Sequence, residues 1–344
     1  MKQFVSCLLL LILLLPASLR SQDYAHAGEY MTAMAAQYKD LMKDQWDYIK
    51  AVSRGKSARK VEKKRRQLLE TNRELQRSIR RMRAWEGDAS LRDSSLAYLK
   101  LCYLVIDEDY GKIVDLEEIA EDSYDLMEAY MTAKDEAHDK LEAAGDRLDM
   151  QEEIFAAKHN VNLMEGEETK LSRRLSQASK VYDYYNRVYL IFFKAYKQES
   201  YLMEAVEAGN VSSLLQNQAT LIKYAKEGLA QLDTMPDFEG DRSLRMATRE
   251  LLQFYQREGE EDAPVYAEFF LKKENMENLQ QAFEAKKPKD RTQEDVDQYN
   301  AAVKAFNLAV NAFNQTNQRV NQERGQRIDH YNKTADKFTS QHVR

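Results

Sequence analysis

Only 4 prolines and 11 glycines punctuate 344 residues, so few positions can stop a helix or seed a tight turn. That scarcity excludes the turn-dense all-β classes. Ala, Leu, Glu, Lys, Gln and Met are abundant instead, and these good helix formers predict long helices. Of two cysteines, Cys7 sits in an apolar N-terminal run, which leaves Cys102 alone in a processed chain and excludes an internal disulfide. Within Leu101-Cys102-Tyr103-Leu104 it reads as a small buried hydrophobe.

Chemistry-bearing patterns are equally sparse. The five histidines share no register, and no Ser or Cys beside one suggests a nucleophile and its base. Asp135-Glu136-Ala137-His138 comes nearest to the paired Glu-x-x-His motifs of a di-metal bundle, but Pro288 and Arg291 stand where a second copy would need it. Gly55-Lys56-Ser57 looks like the end of a phosphate-binding loop, yet no glycine lies five residues earlier and a helix precedes it. The acidic pairs Glu108-Asp109 and Glu261-Asp262 lack the spaced oxygens of a calcium loop. They read as acidic residues opening the next helix. Neither a catalytic centre nor a cofactor is expected, and a net charge of -6 favours no class of partner.

What is present begins with Met1-Lys2, the apolar run Leu8 to Leu15, and Pro16-Ala17-Ser18. This order predicts a signal peptide over residues 1–22 and export to the periplasm, the outer surface or the medium. No other segment reaches membrane-spanning length. From there on, apolar residues recur at three- and four-residue spacing and nowhere alternate with period two, which predicts an all-α chain. Met31, Met34, Tyr38, Leu41, Tyr48 and Val52 mark a first helix. Val61, Leu68, Leu75, Ile79 and Met82 mark a second. Leu91, Tyr98, Cys102 and Val105 follow, then Ile113 to Met131, then Ala137 to Phe155.

The chain also resembles itself. Trp85-Glu86-Gly87-Asp88-Ala89-Ser90-Leu91-Arg92 returns 153 residues later as Phe238-Glu239-Gly240-Asp241-Arg242-Ser243-Leu244-Arg245. Gly55 matches Gly209 as a helix stop, and Asp109-Tyr110-Gly111 matches Asp262-Ala263-Pro264 as a turn. The expectation is two tandem, duplicated helical-bundle units, residues 23–165 and 178–324, joined by a linker or continuous helix over 166–177. Val296, Tyr299, Val303, Phe306, Val310, Phe313, Asn317 and Val320 keep heptad spacing, with a parallel row Asn300, Asn307, Asn314 and Asn321. Residues 325–344 read as a fraying helix or a tail.

Two features belong to one copy alone. Between Arg54 and Arg83 stand thirteen Lys or Arg and three Glu, with Arg59, Lys63, Arg66, Arg73, Arg77 and Arg80 on one face opposite the apolar stripe. Either this face binds an anionic polymer, or it pairs with the acidic stretch Asp107 to Glu128. In the second copy, Tyr182, Tyr185, Tyr189 and Tyr196 with Phe192 and Phe193 form an aromatic stripe. It serves as packing, or as a groove between the copies for a glycan or lipid.

Gly55-Lys56-Ser57-Ala58-Arg59-Lys60-Val61-Glu62-Lys63, Trp85-Glu86-Gly87-Asp88 with Ser90-Leu91-Arg92, and Asp107-Glu108-Asp109-Tyr110-Gly111-Lys112-Ile113-Val114 are similar to blocks of an uncharacterised bacterial surface-protein family shared by Bacteroidota and leptospires. The resemblance implies a periplasmic or surface home and brings no catalytic residues. The sequence therefore predicts an exported, non-catalytic structural or interaction protein. Its partner would be an anionic polymer or another envelope protein.

Overall fold

A computed structural model describes residues 24–53, 58–110, 119–163 and 169–343. The expected signal peptide, Gly55, the acidic segment 111–118 and the expected boundary Met164 to Glu168 lie outside the described residues. The chain is all-α, and no strand occurs among the described residues. Two compact units divide inside one helix, between Asp183 and Tyr184, and again between Phe338 and Thr339.

Unit 1 holds α1 (Ala27–Ala36), α2 (Lys39–Ser53), α3 (Ala58–Arg81), α4 (Ser90–Leu104) and α5 (Tyr124–Lys158), with a π-helical turn, π1 (Val105–Asp109), closing α4. The expected first helix is broken at Gln37. The Gln37 and Tyr38 amides bond three residues back, to Met34 and Ala35 at 3.2 and 3.1 Å, a 3₁₀ tightening that ends α1. Each helix turns its apolar stripe inward, so Tyr30, Met31, Ile79, Met82, Leu91, Leu99 and Phe155 form one buried cluster. Full burial of such a side chain stabilises by about 1.5–3 kcal/mol. Cys102 is buried as expected, and desolvation pushes its thiol up to about 12.

α6 (Lys170–Glu207) carries the chain from one unit into the other. Unit 2 continues with α7 (Val211–Thr234), α8 (Ser243–Arg257), a second π-helical turn π2 (Glu258–Asp262), α9 (Ala263–Ala285), a short 3₁₀ turn at Pro288–Asp290, and α10 (Gln293–His342). Gly209, at φ 64°, follows the end of α6 as the sequence predicts, and Asn210 caps α7 by accepting from the Ser213 amide at 3.0 Å. The expected tail is corrected: α10 runs through Gly325, and Tyr331, Ala335 and Phe338 are buried. Tyr331 stacks on Phe192 with ring centroids 4.3 Å apart, and Phe338 meets Phe238 at 5.4 Å. That burial outweighs the roughly 1 kcal/mol that a helical glycine costs.

The same local devices occur in both units at one spacing. α3 and α7 are each 24 residues, α4 and α8 are each 15, and a five-residue π-helical turn follows each of the latter. Trp85 and Asp88 exchange backbone hydrogen bonds at 3.0 and 2.7 Å, as do Phe238 and Asp241 at 3.0 and 2.8 Å. Glu86 and Gly87 have φ 47° and 85°, Glu239 and Gly240 have 51° and 86°. Two successive positive φ values define the type I′ turn, which only glycine adopts without strain. Asp88 and Asp241 each accept from the first amide of the next helix, Ser90 at 2.9 Å and Ser243 at 2.8 Å. Gly87 and Gly240 therefore belong to a tight turn ahead of the helix that follows. The turn expected at Asp262-Ala263-Pro264 is corrected, because π2 passes directly into α9.

Candidate functional site

The cations of α3 divide by their position on the helix. Arg59, Lys63, Arg66, Arg73, Arg77 and Arg80 are all exposed. They follow alternating four- and three-residue steps, interrupted by Glu70, which sets them in one row about 32 Å long. The helix reaches the core through Leu68, Leu75 and Ile79 on its other side. Among the described residues Arg59, Lys63 and Arg80 have no ion-pair partner. Arg66 pairs with Glu62 at 2.7 Å and Arg77 with Glu70 at 3.3 Å, exposed pairs worth about 0–1 kcal/mol each. The Arg73 guanidinium lies over the Tyr103 ring, 4.7 Å from its centroid, and donates to the Tyr103 hydroxyl.

A second set serves the fold. Arg65, half-buried, donates to the Ile106 carbonyl at 3.0 Å and to Glu62 at 2.8 Å, and stands 3.6 Å from Asp107. Lys64 pairs with Asp47 of α2 at 2.8 Å. Hydrogen bonds from Arg65 and then Arg66 lower the Glu62 carboxyl below its ordinary range, against desolvation. Between the basic helix and the described part of the acidic stretch, Arg65 with Asp107 is the ion pair present. The exposed row makes no ion pair with the described residues of that stretch.

The aromatic stripe of α6 is engaged with itself. Tyr185 stacks on Tyr189 at 5.8 Å, Tyr189 on Phe193 at 5.7 Å, and Phe192 lies between Tyr196 and Tyr331. Phe192 and Phe193 are buried, while Tyr182, Tyr185, Tyr189 and Tyr196 are half-buried. Phe192 and Phe193 thus face the interior, while the four tyrosines each keep part of their surface exposed.

Unit 2 holds a charged cluster that periodicity did not single out. Glu258 and Asp262 of π2 and Glu199 of α6 are buried, with Glu258 wholly inaccessible. Arg324 of α10 stands 2.6 Å from Glu199 and 2.5 Å from Glu258, and its remaining nitrogen donates to Asn321 at 2.5 Å. Arg319 pairs with Asp262, and Arg257 with Glu323 at 2.5 Å. Beside the cluster, the Tyr255 and Tyr266 hydroxyls are buried without a hydrogen-bond partner among the described residues. Desolvation, and then the neighbouring Glu258 charge, raises the Glu199 carboxyl; desolvation raises Glu258 as well, against the pull of Arg324.

The π-helical turn makes this burial possible. Its i to i+5 bonding inserts one extra residue per turn, so Glu258, Gly259 and Asp262 all face inward. Gly259 is needed there, because a Cβ would stand 2.6 Å from Ile222 Cγ1, and its carbonyl accepts from Gln218 at 2.8 Å. Unit 1 carries Val105, Ile106 and Asp109 at the matching positions of π1, so the cluster belongs to unit 2 alone. A sequence signal did exist: Arg324 is the next heptad position after Asn317, a charged residue in an inward register.

Above Arg324 a cavity of about 450 Å³ is walled by Val206, Phe269, Phe270 and Phe313, with Asn317 and Asn321 beside the arginine. Among the described residues no group of three or more His, Cys, Asp or Glu is placed to hold a metal ion, and no helix is long and apolar enough to cross a membrane. Comparison with family models, with curated proteins and with solved structures returned no match.

Proposed function

We propose that this is an exported envelope or surface protein without catalytic activity, which binds an anionic polymer through the exposed basic row of α3. The observation that carries the reading is the placement of Arg59, Lys63, Arg66, Arg73, Arg77 and Arg80 in one solvent-facing line, while the cations the fold uses, Lys64 and Arg65, lie outside it. A line of charge on a convex helix favours a linear polyanion, whose counterions are released on contact. The apolar side of α3 is spent in the core, so it offers nothing to insert into a bilayer.

Descent of the two units by tandem duplication, within the Bacteroidota and leptospire family that the sequence resembles, belongs to this proposal. The shared turn geometry and element lengths support it. On that view the basic row is an addition to one copy.

The test is retention of the full chain on heparin and on dextran sulfate across a salt series. Binding is expected to weaken steeply with salt and to vanish when Arg73, Arg77 and Arg80 are reversed to Glu. Salt-independent binding, or none, overturns the proposal.

The cavity at Phe269, Phe270 and Phe313 favours a second reading, a small-ligand site in unit 2. A thermal-shift screen with glycans and lipids tests it. No stabilisation that Phe313→Ala removes would rule it out.

A further inference from the structure

The buried cluster of unit 2 contains more acid than base. Glu199 on α6 and Glu258 on π2 converge on the single guanidinium of Arg324, at 2.6 and 2.5 Å. The other cations nearby are already committed, Arg319 to Asp262 and Arg257 to Glu323. Tyr255 from α8 and Tyr266 from α9 bring hydroxyls and no positive charge. From α7 the contact is neutral, Gln218 to the Gly259 carbonyl, and Lys226 pairs with Glu260 at the more exposed side of the turn at 2.8 Å.

With both carboxyls ionised, the site would keep an uncompensated charge out of water, which is strongly unfavourable. With both protonated, the buried arginine would be left without its counter-charge. The intermediate state, one proton between two carboxyls, is the one that balances Arg324. Two interacting acids then titrate as a pair rather than as independent groups.

We propose that Glu199 and Glu258 share one proton over Arg324, and that this proton pins α10 against the π-helical turn, so that unit 2 loosens reversibly when the proton leaves to solvent. The sign follows from linkage. A carboxyl raised in the folded state binds its proton more tightly there than in the unfolded chain. The stabilisation is complete below the ordinary glutamate range and is lost as pH rises through the folded value. Unit 2 is thus tightest in mild acid and loosest in mild alkali.

Hydrogen exchange of the full-length protein tests this, comparing about pH 5 with about pH 9 after correction for the intrinsic chemistry of exchange. Peptides from π2 and from α10 around Arg324 are expected to open at least about tenfold more often at the higher pH, the equivalent of one pKa unit. Glu199→Gln supplies a permanently neutral side chain and is expected to flatten that dependence. No pH dependence in the wild type, or full dependence in Glu199→Gln, overturns the proposal.

Should Glu199→Gln fail to fold, a carbon-13 glutamate titration decides the matter in a Glu152→Gln background, which removes a raised carboxyl of unit 1. One carboxyl still titrating above the ordinary range supports the shared proton. Its absence overturns it.

Discussion

The Asp88 carboxylate and the His159 imidazole meet at 2.9 Å in unit 1, with Lys158 on the same oxygen at 2.8 Å. One side chain thereby ties the start of α4 to the end of α5. Lys158, then His159 and Ser90, hold the Asp88 carboxyl well below the usual carboxylate range. Asp88→Asn is expected to cost unit 1 about 1–3 kcal/mol, read by urea unfolding. Below about pH 4 the unfolded chain takes up the proton that folded Asp88 refuses, so the contribution is present above that range and lost in acid. The variant should lose stability less steeply there than the wild type. An unchanged acid slope would show that the triad contributes nothing.

Gly259→Ala should destabilise unit 2 by about 1–3 kcal/mol, the usual cost of overpacking, because the new methyl meets Ile222. Ile222→Ala in the same chain should recover part of the loss. A double-mutant cycle checks this, and strict additivity would mean that the two residues do not press on each other.

The paired type I′ turns make a symmetrical prediction. Glu86 and Glu239 occupy left-handed conformations that asparagine tolerates better. Glu86→Asn and Glu239→Asn should each raise thermal stability, by a few tenths of a kcal/mol, about the scale of a compatible backbone substitution. Gly87→Ala and Gly240→Ala should each lower it. No atom lies within 4 Å of either added Cβ, so the loss would be backbone strain alone.

Phe338→Ala should cost unit 2 about 3–5 kcal/mol, as for a large buried aromatic. Chain shortening at Gly325 should abolish its cooperative unfolding transition altogether. Calorimetry of both variants checks this; a wild-type transition in the shortened chain would return residues 326–344 to the status of a tail.

The parts that a 3.6-residue period governs were legible in the sequence. Leu68, Leu75 and Ile79 are buried and Arg59, Lys63 and Arg66 exposed, because a regular helix has one inward side and the spacing names it. The recurrence of Trp85 to Arg92 as Phe238 to Arg245 was visible as well, but not the type I′ turn that both stretches form. What escaped was produced by departures from that period. Glu258 and Asp262 look like solvated helix-end acids until the π-helical turn rotates them inward. Arg324 sits beside Gly325, a residue that ordinarily ends a helix, so α10 was expected to stop where its most consequential side chain begins. The Tyr185 to Tyr196 stripe is visible in the sequence, but the ring that stacks on Phe192 is not, since Tyr331 lies beyond Gly325, where the spacing predicts no core position.

Cys102 gives the molecule a reporter of its own. Buried at the end of α4 beside π1, with ionisation suppressed by desolvation, its thiol is inert to alkylating reagents while unit 1 stays closed, because the thiolate is the reacting form. With Cys7 replaced, modification of the chain would time the opening of unit 1 and leave unit 2 silent. The protein then carries, in one sulfur atom, a clock for half of itself.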